Sequence, residues 1–103
     1  MKNEILLIRR GRSFQKFFPS SNLEGATVFA SFGKIKTDGT IQKRIGFETE
    51  IVGDGYLLKM NQTDTTALIS EILSYDVLVE RPDVSWPEGK KATFEFGGII
   101  KVE

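Results

Sequence analysis

At 103 residues, with 40% apolar and 27% charged side chains, the chain has the size and composition of one soluble globular domain. It contains no cysteine and no histidine, which excludes disulfide frameworks, thiolate nucleophiles, His general bases and zinc sites built on Cys or His. We therefore expect a protein that binds or builds rather than an enzyme, with no catalytic residue, no cofactor and no metal. Eight phenylalanines indicate a core built on aromatic rings.

Charge is divided unevenly along the chain. Residues 1–44 hold nine Lys/Arg and three Asp/Glu, a net +6, whereas residues 45–103 hold five and eleven, a net −6. Either the two halves attract each other within one fold, or the protein is a polar particle that stacks its positive end on the negative end of copies or partners. The overall positive excess that DNA binding favours is missing, so nucleic acid is not the expected partner.

The first predicted strand covers residues 4–9 and contains an apolar stretch of only four residues, 5–8, followed by Arg9 and Arg10. This stretch is too short for a secretion signal or a membrane span. We expect a protein that is made in the cytoplasm, is not secreted by a signal peptide and makes no membrane contact.

Further alternating segments, separated by turn residues, predict strands over most of the chain. Gly11 ends the first strand, and residues 13–18 form the second. In the third, Phe29 lies on the opposite face from an apolar set, where a neighbour could cover it; that set is Ala26, Val28, Ala30 and Phe32.

Tight turns separate the next two predicted strands. Asp38-Gly39 favours a hairpin turn, and Gly53-Asp54-Gly55 favours another. Between them, one strand places four residues on one face: Ile45, Phe47, Thr49 and Ile51. After the second turn, Tyr56, Leu58 and Met60 alternate with Leu57 and Lys59.

Residues 61–69 are the one predicted helical piece, with Asn61 or Thr63 as its N-cap. Its apolar side would consist of Ala67, Leu68 and Ile69. A strand follows, with four inward residues: Leu73, Tyr75, Val77 and Val79. Residues 81–89 are predicted to form a loop.

The last strand has the most regular alternation. One face carries Ala92, Phe94, Phe96, Gly98, Ile100 and Val102, and the other carries Thr93, Glu95, Lys101 and Glu103. Seven strands and one helical turn, in a single domain over residues 1–103, predict an all-β immunoglobulin-like sandwich. A small β-barrel is the alternative.

Several segments carry a resemblance to a known family. They are RGRSF at residues 10–14, LEGATV at 23–28, GYLL at 55–58, the helical turn at 63–68, SYDVLV at 74–79 and the closing strand at 91–102. Together they resemble the N-terminal immunoglobulin-like domain of phage baseplate upper proteins and related tail-fibre attachment domains. The resemblance implies a virion structural protein that binds other virion proteins in a symmetric multi-copy assembly, without a small-molecule substrate. Members of that family usually continue into a fibre or receptor-binding part, whereas this sequence stops, so we expect attachment or decoration rather than receptor recognition.

Two positions in these segments have a physical rationale of their own. Tyr75, near a strand start, can pack its ring inward and donate its hydroxyl to a neighbouring loop. Gly97-Gly98 allows the last strand to bend where it crosses an edge.

Trp86, between Ser85 and Pro87, is the strongest single candidate for contact with a partner, because an aromatic held by proline is typical of interface anchors. Alternatively, it folds back to cap the sandwich. The N-terminal strand and its arginines are a second candidate, since an edge strand can accept a partner strand.

Arg9, Arg10 and Arg12 are interleaved with three phenylalanines, and on a small barrel such a pattern can bind single-stranded nucleic acid. We favour the simpler interpretation, in which a basic strand end feeds aromatic side chains into the core.

Overall fold

The structure is a computed structural model that describes residues 1–68 and 72–103 and, within them, every side chain except those of residues 35 and 41–44. These described residues form nine strand segments and one short helix. The elements are β1 (Lys2–Asn3), β2 (Leu6–Ile8), β3 (Phe14–Pro19), β4 (Thr27–Ile35), β5 (Ile41–Gly46), β6 (Glu48–Val52), β7 (Gly55–Met60), α1 (Gln62–Thr66), β8 (Ile72–Pro82) and β9 (Lys90–Val102).

These strands form two packed sheets. The large sheet has the order β1-β9-β8-β4-β5, with β2 also paired to β9, and the small sheet has the order β3-β7-β6. β1 and β2 run parallel to β9 in a common register, with Lys2 opposite Phe96 and Leu6 opposite Ile100, while the other pairs are antiparallel. This order matches an immunoglobulin-like sandwich, in which strands B, E and D of one sheet face strands C, F and G of the other. Here β3, β7 and β6 take the places of strands B, E and D.

The predicted all-β sandwich is therefore confirmed, and the barrel alternative is wrong. Successive strands β2 and β3 pair with β9 and β7, which lie in different sheets. Within residues 1–68 and 72–103, no ladder joins the two sheets into a closed barrel.

Alternating apolar residues build the core between the sheets, as predicted for β8. Its four predicted inward residues are all buried: Leu73, Tyr75, Val77 and Val79. The alternating set of β7 is buried as well: Tyr56, Leu58 and Met60. Aromatic rings meet at the centre, with the Phe18 and Phe96 centroids 4.6 Å apart and those of Phe32 and Phe47 5.1 Å apart. Such pairs add to the free energy gained by burying their area.

The predicted strand through Ile45 and Ile51 is wrong as a single element. The chain leaves the large sheet after Gly46 and enters the small sheet at Glu48. Phe47 lies at the crossing, where it is buried and its backbone N–H donates to Ala30 O at 2.9 Å. Because the two halves belong to different sheets, Ile45 and Ile51 are largely exposed at their edges.

The alternation predicted for β9 fails at one position. Val77 is opposite Phe96, but the next pair is Leu78 with Phe94, so Glu95 is an extra residue in a β-bulge. The bulge turns the preceding residues over: Phe94 and Ala92 are exposed on the outer face, and Glu95 is half-buried. The expectation that Ala92 and Phe94 share a face with Phe96 is wrong.

As predicted, Tyr75 packs its ring inward and donates its hydroxyl to a neighbouring loop, here the short segment between β1 and β2. Its ring is buried and its hydroxyl donates to Glu4 O at 2.8 Å, and burial raises the pKa of Tyr75 to about 12. Glu4 N–H also donates to Gly97 O at 3.0 Å. Glu4 lies where β1 ends, directly against Gly98, whose φ is +147°.

The helix is shorter than predicted. Asn61 is its N-cap, accepting from Asp64 N–H at 2.8 Å, which confirms one of the two predicted caps. The buried positions are Thr65 and Leu68, while Ala67 is exposed and Ile69 lies outside the described residues. The predicted loop at 81–89 is shorter as well, because β8 continues through Arg81 to Pro82.

Candidate interaction surfaces

Trp86 lies in the hairpin that joins β8 to β9, residues 83–89. The Asp83 carboxylate accepts from Ser85 N–H at 3.0 Å and from Ser85 Oγ at 2.6 Å, and these bonds lower the pKa of Asp83. Trp86 N–H donates to Asp83 O, and Gly89 N–H donates to Trp86 O at 2.9 Å. This bonding holds the hairpin in one shape and presents the indole at its tip.

The indole is 50% exposed and does not cap the sandwich core. It borders a shallow depression of about 370 Å³ on the hairpin, lined by Trp86, Pro87, Glu88, Lys90, Lys91 and Ala92. The interpretation of Trp86 as an exposed contact residue therefore agrees with its position, and the capping interpretation does not.

Trp86→Ala is expected to change the free energy of unfolding by less than about 0.5 kcal/mol, because an exposed side chain outside the core contributes little to stability. Urea unfolding followed by circular dichroism measures the change. A loss of several kcal/mol would show that the indole packs on the sandwich after all.

The three arginines lie at the opposite end of the sandwich, beside α1 and Glu103. Arg10 Nε donates to Leu68 O at 2.6 Å, and Arg12 O accepts from Thr65 Oγ1 at 2.9 Å. Arg9 Nε is 3.6 Å from Glu103 Oε2, with both side chains more than half exposed. The 13 residues of β9 separate this end from the hairpin, a distance of about 40 Å. Trp86 and the arginines therefore form two surfaces rather than one.

The charge asymmetry of the sequence becomes an asymmetry between the two ends. The basic end contains the three arginines, and loops at the other end contain Glu24, Asp54, Asp83 and Glu88. The Arg9–Glu103 ion pair joins the two halves of the chain, whereas Lys59–Glu50, Arg81–Glu95 and Lys90–Glu80 lie within the acidic half. The three arginines and the four loop carboxylates therefore lie at opposite ends of the sandwich.

The phenylalanines near the arginines do not form a stacking platform. Phe18 is fully buried and Phe14 packs against the core. Phe17 is 46% exposed, but it alternates to the outer face of the small sheet, where its ring lies against Gly55. For Phe14 and Phe18, the favoured interpretation of a basic strand end feeding aromatic rings into the core agrees with the structure.

An apolar row crosses the outer face of the large sheet. Phe29, Leu78 and Phe94 are direct neighbours on β4, β8 and β9. Phe29 and Phe94 are each 50% exposed, and Leu78 is half-buried between them. Sequence alternation predicted Phe29 on this face. It did not predict Phe94 here, because the bulge at Glu95 shifts the alternation of β9. We call Phe29, Leu78 and Phe94 the apolar row.

A polar cluster made by the same bulge was not predicted. Glu95 Oε1 accepts from Ser20 Oγ at 2.7 Å and from Tyr56 Oη at 3.1 Å, and Glu95 Oε2 lies 2.7 Å from Arg81 Nη2. Arg81 Nη2 also donates to Ser21 O at 2.9 Å. The Glu95 cluster (Ser20, Tyr56, Arg81 and Glu95) joins the two sheets to the loop after β3 and fixes the base of the hairpin.

Two opposing effects act on the Glu95 carboxyl. Partial burial alone raises its pKa, but hydrogen bonds from Ser20, Arg81 and Tyr56, with the Arg81 charge, outweigh burial and hold the pKa of Glu95 below its usual 4.5. The anionic form is therefore favoured in the folded state.

The pKa of Glu95 is lower in the folded state than in the unfolded state. The Glu95 carboxylate therefore makes its full contribution to the free energy of unfolding above the unfolded pKa near 4.5. That contribution is lost as pH falls through the folded pKa. The stability difference between the native protein and Glu95→Gln should accordingly be constant at neutral pH and shrink below about pH 4. Urea unfolding across that range measures it. A difference that persists in acid would contradict a stabilising carboxylate.

Residues 1–68 and 72–103 contain no group of three or more acidic side chains placed to hold a metal ion. The helix in that part is not long and apolar enough to cross a membrane.

Comparison of the sequence with protein-family models finds no match, and comparison with curated proteins finds none either.

Proposed function

We propose that this chain is a bacteriophage virion structural protein, a small tail, baseplate or fibre-attachment adaptor or decoration that works by binding other virion proteins. The resemblance of its segments to phage attachment domains motivates the proposal. The immunoglobulin-like sandwich agrees with the fold that this resemblance implies.

The observation that carries the binding role is the uncovered apolar row. Phe29 and Phe94 leave half of their surface exposed on a flat sheet face, and contiguous exposed apolar area usually marks a protein interface. Trp86 adds a second exposed aromatic on the adjoining hairpin, and aromatic residues are enriched among interface hot spots.

Mass spectrometry of purified particles of the phage that encodes this chain tests the proposal. We expect the chain in the particle at a fixed ratio to a tail or baseplate protein, since virion components assemble with symmetry. Its absence from washed, infectious particles would overturn the virion role.

The alternative from the sequence is a nucleic-acid-binding protein, and the exposed basic end keeps this function as a second candidate. Arg9 and Arg12 are exposed there, and phosphate binding needs clustered cations. Retention on single-stranded DNA that weakens steeply with salt, and is lost in a joint Arg9→Ala and Arg12→Ala variant, would favour this function over the virion role.

A further inference from the structure

We infer that the outer face of the large sheet pairs with the same face of a second copy of this chain, forming a two-fold dimer centred on Leu78. The inference deepens the proposed binding role by naming the partner of the apolar row, and it rests on that role only for its biological setting.

The apolar row is symmetric about its own centre. Leu78 on β8 is opposite Phe29 on one side and opposite Phe94 on the other, and each neighbour lies about 5 Å away across the sheet. A two-fold axis that lies between the two faces, over Leu78 and parallel to β8, therefore sets Phe29 of one copy over Phe94 of the other, twice, with the two Leu78 side chains at the axis. A surface that fits itself in this way is what a two-fold interface requires.

The area is also sufficient. The large sheet is five strands wide, and over about eight residues of strand length it offers roughly 600 Å² per copy. The total of about 1,200 Å² is at the lower end for specific protein interfaces. We accordingly expect a dimer that dissociates on dilution rather than a permanent one.

Sedimentation equilibrium over a range of concentrations is the test. The native protein should change with concentration from the 11.6 kDa mass of the chain to twice that value. Phe29→Lys and Phe94→Glu should each weaken dimerisation by at least about tenfold, with circular dichroism showing that each variant is folded. Phe17→Lys is the matched control, because Phe17 is 46% exposed on the outer face of the other sheet and should leave dimerisation unchanged.

Mixing the two variants tests the register itself. In a mixed dimer, Lys at position 29 of one copy faces Glu at position 94 of the other, and the second Phe29–Phe94 contact stays intact. An equimolar mixture of Phe29→Lys and Phe94→Glu should therefore associate more tightly than either variant does alone. Failure of the mixture to associate, or a native protein that stays monomeric at every concentration, would overturn the inference.

The outcomes also separate the two proposals. A monomeric protein that is present in particles overturns the dimer and leaves the virion role standing. A dimeric protein that is absent from particles overturns the virion role and leaves the dimer standing.

Discussion

Glu95→Gln is expected to lower the free energy of unfolding by about 2 kcal/mol at neutral pH, because hydrogen bonds to a charged group are each worth about 1.5–3 kcal/mol and Arg81 loses its counter-ion. The side chains of Glu95 and Arg81 are only 18% and 23% exposed, so solvent screens their interaction little. Thermal unfolding should show a midpoint roughly 10 °C lower.

Glu50→Gln is the matched control for this prediction. Glu50 Oε2 lies 2.9 Å from Lys59 Nζ, but the Glu50 side chain is 52% exposed on the small sheet. An ion pair exposed to solvent contributes at most about 1 kcal/mol. Equal losses in the two variants would show that the Glu95 cluster contributes no more than a surface ion pair.

Gly98→Ala is expected to cost about 3 kcal/mol and to loosen the N-terminal strand. A Cβ at residue 98 would lie 2.6 Å from Glu4 O, at a backbone φ of +147° that disfavours side chains. Glu4 would have to move away, and its bonds to Gly97 and Tyr75 would break. Urea unfolding measures the loss, and hydrogen exchange at the amides of Leu6 and Ile8 should accelerate more than exchange in β7.

Gly89→Ala separates backbone strain from crowding. Gly89 also has a positive φ, +75°, but a Cβ there meets no atom within 4 Å. This variant should cost only about 1 kcal/mol, the usual penalty for a left-handed residue with a side chain. If both glycine variants cost the same, contact with Glu4 has no role in holding β2 on the sheet.

The sequence was most informative where one element stays in one sheet. β8 buries every predicted inward residue and β7 buries its alternating set, because a regular strand between core and solvent needs only a period of two. Tyr75 was also predictable, since a buried phenol needs a hydrogen-bond partner and the segment between β1 and β2 supplies one.

Two irregularities were beyond the alternation pattern. After Gly46 the chain changes sheets without a long loop, so Ile45 and Ile51 continue one pattern across two strands. At Glu95 one extra residue shifts the register, and nothing in the run Thr93 to Phe96 distinguishes a bulge from a regular strand. Both depend on pairing between distant segments, which a local period does not record.

The candidate surfaces were predictable in part, for the same reason. Trp86 was identified because its proline-flanked loop is a local signal, and its exposure follows from the hairpin. The apolar row depends on the register of three strands, and the Glu95 cluster depends on a bulge together with a loop some 75 residues away in sequence. The function itself stays a prediction that the particle experiment addresses.

Because of the bulge, different residues determine the rigidity of the hairpin end and the side chains displayed on the outer face. Deleting Glu95 would leave Phe96 opposite Val77 and Phe94 opposite Leu78, so the ladder would become regular and the apolar row would keep its place. Only the carboxylate that joins the sheets to the loop would be lost. A deletion of this one codon during evolution would thus make the hairpin end less rigid without changing the side chains of the apolar row. Most substitutions in the apolar row would instead change the surface of the outer face and leave the hairpin end rigid.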